Sequence, residues 1–136
     1  MAEEEKLNLE VVSPEKLIMS KSVDIVSISG TEGDFGVLPG HTALVSSIRP
    51  GLLKIEADKE IELFFISGGF VEVINDKVSI LATEVISSND INISECADNI
   101  KQCNDELEVS ENELNKKPVL KRIEKYQAMI DFKNMN

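Results

Sequence analysis

The hydrophobic period of this chain changes once, at Ser88-Asn89-Asp90, and that change limits the folds open to it. Before that point apolar residues tend to recur at every second position. Leu7, Leu9 and Val11 alternate with polar neighbours until Ser13-Pro14 breaks the run. Ile61, Leu63 and Phe65 alternate, as do Val71 and Val73, then Val78, Ile80 and Ala82. A period of two lines up side chains on one face of a strand. Val23 to Ile28 is apolar on both parities, which reads as a bulge or as a strand covered on both faces. Turn formers punctuate these runs. Gly30 to Gly36 reads as a loop with three glycines, Arg49-Pro50-Gly51 as a turn, Asp58-Lys59 as a polar tip and Ile74-Asn75-Asp76-Lys77 as a tight hairpin. Short strands at this spacing predict an antiparallel β-sandwich of about eight to ten strands.

After Asp90 the spacing becomes three and four. Ile93, Cys96, Ala97, Ile100, Cys103 and Leu107 form one helical stripe. Val119 or Leu120, Ile123, Tyr126 and Ile130 form another. A short connection between two helices makes them an antiparallel hairpin. The break has two readings. Ser110-x-x-Glu113 has the form of a capping box, which would leave Pro118 inside the second helix as a kink. The turn could instead be Asn115 to Pro118, with Pro118 in the first helical turn. The expected class is α+β, with a β-sandwich domain at 1–88 and a two-helix domain at 89–136.

Charge and composition exclude several functions. The net charge of -11 repels nucleic acid and anionic membrane surfaces. With aromatics at 4% and no Trp, the core must be built from Val, Ile and Leu. Cys96 and Cys103 cannot form a disulfide framework or, unaided, a zinc site, and read as reduced core thiols. Met-Ala-Glu-Glu-Glu-Lys lacks the basic-then-apolar form of a signal peptide. No apolar run nears the ~20 residues that a membrane helix needs, so direct membrane insertion is not expected. His41 has no nucleophile placed beside it by motif, so a small hydrolase centred on His41 and Asp34 is disfavoured. The Gly30–Gly36 loop lacks the GKS/T ending of a phosphate loop. The carboxylates show no metal-ligand spacing. An interaction protein remains. Residues 90–113 hold eight acids against one base, and residues 114–136 hold six bases against two acids. The two helices thus carry a charge clasp whose exposed pairs are each worth only ~0.2–1 kcal/mol.

One run of residues is more specific. Gly30-Thr-Glu-Gly33-Asp-Phe-Gly36-Val-Leu-Pro39-Gly40-His41-Thr-Ala-Leu44 resembles the signature of the ε subunit of bacterial F-type ATP synthase. Ile48-Arg49-Pro50-Gly51, Ile66-Ser67-Gly68-Gly69-Phe70-Val71-Glu72-Val73 and Val78-Ser79-Ile80-Leu81-Ala82 follow in the family's order and spacing. Together the blocks span roughly residues 7–91. The alternative reading, a free-standing adaptor with the same architecture, has no such signature.

The resemblance implies a non-catalytic subunit of the rotor stalk of a proton-translocating enzyme. Its implied partners are the γ subunit, the c-ring loops and, transiently, the α/β head. The implied location is peripheral, on the cytoplasmic face of the bacterial inner membrane. The C-terminal helices would lie folded or extend along γ, and hinder ATP hydrolysis when extended. Glu32, Gly33 and Asp34 correspond to the c-ring-facing loop. Gly30, Gly36, Pro39, Gly40, His41, Gly68 and Gly69 correspond to structural turns. Lys121, Arg122 and Lys125 correspond to the basic face of the regulatory helix, which meets an acidic segment of the β subunit. Some members bind ATP through Asp-x-x-Arg-Ala at the start of the first helix. Here Asp90-Ile-Asn-Ile-Ser-Glu-Cys96-Ala97 has no Arg, so no cofactor is expected.

Overall fold

Alternation builds the first strand. In the computed structural model, which describes residues 5–135, Leu7, Leu9 and Val11 of β1 (Leu7–Val12) are buried, while Asn8 between them is exposed. β1 pairs antiparallel with β2 (Leu17–Val23) and parallel with β8 (Lys77–Ala82). β8 pairs with β7 (Gly69–Ile74), and β7 with the first part of β5 (Leu44–Ala57). The second part of β5 pairs with β6 (Glu60–Ile66) on one side and β3 (Ile25–Gly30) on the other. β4 (Gly33–Val37) extends the sheet beyond β3, and β9 (Val85–Ser87) pairs with β6. The nine strands found among the described residues form a β-sandwich whose two sheets share β5.

The sandwich core is aliphatic, as expected. Leu9, Val11, Val26, Ile28, Leu53, Ile55, Val71, Val73 and Ile80 all join one cluster, each at most 2% exposed. At roughly 25 cal/mol per Å² of apolar surface, each such side chain contributes about 1.5–3 kcal/mol.

Several strand-level expectations need correction. Arg49-Pro50-Gly51 is not a turn. β5 runs straight through it and changes partners there: Leu44 to Ile48 pair with β7, and Gly51 to Ala57 with β6. Arg49 and Pro50 have no ladder partner, so the missing N–H of Pro50 loses no ladder bond. Gly51 is required by packing, since a Cβ there would come within 2.7 Å of Ser29 Oγ. That hydroxyl accepts a bond from Leu52 N at 3.0 Å. The Val23–Ile28 run is divided at Asp24 into the end of β2 and the start of β3. Gly30 to Gly36 is a hairpin whose second half is a strand. Burial in β6 does not follow the Ile61-Leu63-Phe65 alternation alone: Phe65 is fully buried and Ile61 exposed, while Ile66 and the partly buried Phe64, of the opposite parity, join the sandwich cluster. The β1–β8 ladder is parallel within an otherwise antiparallel fold.

The chain divides between Ser87 and Ser88 into two units. The second begins with a 3-10 turn (Ser88–Asp90) and α1 (Ile93–Val109). Asn92 caps α1, its Oδ1 accepting from Glu95 N at 3.2 Å. Ser110 closes this helix with extended backbone. α2 (Glu113–Met135) starts three residues later, where Asn112 Oδ1 accepts from Leu114 N at 2.8 Å. The Ser110-x-x-Glu113 capping box is therefore absent: Ser110 ends α1, and Glu113 is the first residue of α2. Pro118 lies inside α2, so the Leu114 carbonyl loses its i+4 donor. Cys96 and Cys103 are buried on α1, and Val119, Met129 and Phe132 on α2. The spacing predicts Ile130 on the buried stripe of α2; Met129 is the buried residue there, and Ile130 is half-buried. The reading of Met1–Glu4 as no targeting segment lies outside the described residues.

Candidate interaction surfaces

The site residues suggested by the sequence fall in three places. The first is the tip of the β3–β4 hairpin, where Thr31, Glu32, Gly33 and Asp34 are all exposed. Gly30 must be glycine here, because a Cβ would sit 2.7 Å from the Gly33 carbonyl oxygen and 2.9 Å from the Phe35 ring. The tip is tied to β5. Thr31 N donates to the Ser47 carbonyl at 3.1 Å, and Thr31 Oγ1 and Ser47 Oγ are 2.7 Å apart. The Arg49 guanidinium donates to Asp34 Oδ1. Asp34 is thus neutralised within the chain, and Glu32 stays open to solvent. Gly68 and Gly69 belong to this same end, since Gly69 pairs with Ile48 and Gly30 does too. At Gly69 a side chain is excluded twice: φ is +141°, and a Cβ would lie 2.0 Å from the Leu81 carbonyl oxygen.

The second place is the far end of β4. Five residues of extended chain, about 13 Å, separate the tip from Leu38-Pro39-Gly40-His41. Gly36 lies within β4 itself. Gly40 N donates to Asp76 Oδ1 at 2.7 Å, which ties the loop to the β7–β8 turn. That turn has positive φ at Asn75 and Asp76, as its sequence predicts. His41 Nδ1 lies 2.7 Å from the Thr42 carbonyl oxygen, a local turn contact. Nearby, Lys6 bridges Asp24 at 3.0 Å and Asp58 at 2.7 Å. Hydrogen bonding to both carboxylates raises the Lys6 ammonium well above its usual value. The bond from Lys6, aided by one from Asp58 N, holds Asp24 below the carboxylate range.

The third place is α2. Lys121 is exposed, but its two companions are engaged. Arg122 donates to Glu106 of α1, whose charge holds the guanidinium protonated still more firmly than usual. Lys125 is half-buried, with its ammonium 5.0 Å from the centre of the Tyr126 ring. Only part of the expected basic face is therefore presented outward by the closed hairpin.

A fourth surface was not legible in the sequence. On the outer face of the β1–β8–β7–β5 sheet, Val45 is 70%, Phe70 58% and Leu81 53% exposed, and Val12 lines the same shallow groove. Phe70 and Leu81 are direct cross-strand partners. These four residues lie on four different stretches of the chain, and only the sheet order brings them together. Among the described residues no three His, Cys, Asp or Glu side chains gather as metal ligands.

With this geometry in view, residues 6–88 match the family model for the ATP synthase delta/epsilon chain, beta-sandwich domain. An ATP synthase epsilon chain from Maricaulis maris is 36% identical over 125 residues, covering 92% of this chain and 94% of the relative. The chain belongs to the ATP synthase epsilon-chain family. The epsilon chain of Rhodospirillum centenum is 33% identical over 134 residues, covering 94% of this chain and 92% of its own. That of Nitratidesulfovibrio vulgaris (strain DP4) reaches 43% over 90 residues, 66% of this chain and 67% of its own. In fold the chain is similar to one from the Euglena gracilis mitochondrial ATP synthase (OSCP/F1/c-ring, rotational state 1), with a TM-score of 0.79 at 24% identity. That match covers 91% of this chain and 79% of the other. A chain from the Tetrahymena thermophila mitochondrial ATP synthase (central stalk/c-ring) gives a TM-score of 0.65 at 14% identity over 98% of both. Epsilon chains are non-catalytic subunits of ATP synthase. No helix among the described residues is long and apolar enough to cross a membrane.

Proposed function

We propose that this chain is the ε subunit in the rotor stalk of a proton-translocating ATP synthase, joining c-ring rotation to the catalytic head through γ. The observation that carries this reading is family membership across both units, since the Maricaulis maris relative aligns over 92% of the chain. Its place would be peripheral, on the cytoplasmic face of the bacterial inner membrane.

Each surface has a role in this reading. The Glu32-Gly33-Asp34 tip meets the polar c-ring loops. Its two ties to β5 and the Arg49–Asp34 pair suit a contact that must transmit torque without bending. The apolar face around Phe70 and Leu81 suits a long-lived partner such as γ, because such a patch left in water invites association. Lys121, Arg122 and Lys125 meet an acidic segment of the β subunit when the helices leave the closed form, and ATP hydrolysis is then restrained. Reaching that state requires Arg122 to release Glu106. The exchange of one exposed pair for another is nearly balanced, as a reversible switch requires.

The direct test is ATP hydrolysis by the assembled catalytic head with the full chain, compared with a chain ending at Ser87. The truncated chain should still join γ and should leave hydrolysis faster. Equal rates with both chains would remove the regulatory role. Failure of both chains to join γ would remove the stalk assignment.

A further inference from the structure

The chain has two cysteines, and both lie in one seam. Cys96 and Cys103 are each 3% exposed on α1, and both are free thiols. Their seven-residue spacing sets them about 10.5 Å apart along the axis. That exceeds the span of a disulfide, so the pair cannot protect itself by bridging. Residues of α2 face them. Lys125 lies close enough to Cys96 to favour its thiolate, and Arg122 is within electrostatic reach of Cys103. The rotor function proposed above uses neither sulfur.

Both thiols are buried in the closed hairpin, where α1 and α2 pack together. Burial raises the Cys96 thiol above its ordinary pKa, with Glu95 adding to the effect and Lys125 opposing it. Thiolate, the reactive form, is therefore scarce at Cys96, and the burial of both sulfurs leaves an approaching reagent no room. When the helices part, both obstacles vanish, and the cations of α2 remain tethered nearby. An adduct formed then is too large and polar to return to positions so nearly sealed.

We propose that Cys96 and Cys103 form a modification site for small disulfides of the oxidised-glutathione class, reachable only when α1 and α2 separate, and that an adduct there holds the hairpin open. In the reaction a cysteine thiolate attacks one sulfur of the reagent. A protein–reagent S–S bond forms, the reagent's own S–S bond breaks, and one thiolate leaves and takes up the proton given up by the cysteine. One protein thiol is oxidised and one reagent disulfide is reduced. The inference rests on the helices separating, which is part of the reading above, but not on their effect on hydrolysis.

The test uses the full chain and two reagents. With 5,5′-dithiobis(2-nitrobenzoic acid), Cys96→Ala and Cys103→Ala variants assign each thiol. Both thiols should react roughly 100-fold more slowly than in denaturant, the factor expected if closed hairpins outnumber open ones in that ratio. Both rates should rise together in Glu106→Ala, which removes the Arg122 partner. With oxidised glutathione, the adduct should lose amide-exchange protection in α1 and α2, keep it in the sheet, and recover it when dithiothreitol is added. Reaction of either thiol at the denatured-chain rate would overturn the masking. An adduct with hairpin protection intact would overturn the hold-open role. Unreactive thiols in chains whose hairpin amides do exchange would overturn access through opening. None of these readouts involves ATP hydrolysis, so a failure here is distinguishable from failure of the regulatory role.

Discussion

The sheet unit and the helical unit solve the burial problem with very different margins. The sandwich gathers sixteen residues into one continuous apolar cluster and locks its strands by ladders on both sides of β5. The hairpin buries Cys96, Cys103, Val119, Met129 and Phe132 along its helices and leaves Val109, Leu114, Leu120 and Met135 exposed. A two-helix unit of this size falls below the range in which a hydrophobic core alone secures a fold. The difference is one of margin: the sheet unit rests on one continuous apolar core, and the hairpin on a few buried side chains.

That contrast can be broken most forcefully at Gly69. Gly69→Ala combines positive φ with a Cβ 2.0 Å from a backbone oxygen, and backbone strain alone is worth about 1–3 kcal/mol. Urea unfolding should show the sheet unit destabilised by at least that much, with the hairpin's helical signal unchanged. The next effect runs the other way. Pro118→Ala restores a donor for the Leu114 carbonyl and removes a residue that costs up to about 3 kcal/mol inside a helix. The hairpin should become more stable by roughly 1–3 kcal/mol, seen as slower amide exchange in α1 and α2. A hairpin weakened by this change would show that Pro118 is needed for its geometry.

How much of the contrast was legible depended on how local its causes were. The alternation of Leu7, Leu9 and Val11, the Asn75-Asp76 turn and the change of period near Asp90 are each decided within a few residues, and all three appear as read. β2 has no clear sequence signal because it lies at the sheet edge, where Leu17 is exposed and alternation is blurred. Arg49-Pro50-Gly51 has the composition of a turn. What keeps it extended is the change of partner from β7 to β6, which no local pattern encodes. The ties from Arg49 to Asp34 and from Asp76 to Gly40 join residues 15 and 36 positions apart, and only the fold brings them together. Asn112 displaced Ser110 as the cap of α2 because Ser110 was already used to end α1.

Smaller effects sharpen the comparison. Arg122→Ala removes an ion pair between half-exposed groups, worth about 0.2–1 kcal/mol. It should shift hairpin exchange slightly at low salt and hardly at all at high salt. The sheet unit has its own exposed cluster at Lys6, Asp24 and Asp58. Asp24 is held below the usual carboxylate range, so its contribution is present above that range and is lost as pH falls through its lowered value. Lys6 is raised, so its contribution is complete below the ordinary lysine value and is lost only in strong alkali. Lys6→Met should therefore differ from the parent near neutral pH, and the difference should shrink as pH falls below the ordinary carboxylate range. A difference that instead grows in acid would reverse this assignment.

Native-state hydrogen exchange of the full chain, resolved by segment across a denaturant series, tests the separation of the two units most directly. The expected result is that α1 and α2 exchange through an opening of low free energy while β1, β5, β7 and β8 stay protected up to global unfolding. Exchange of helices and strands in one event, with equal protection at every denaturant concentration, would contradict it.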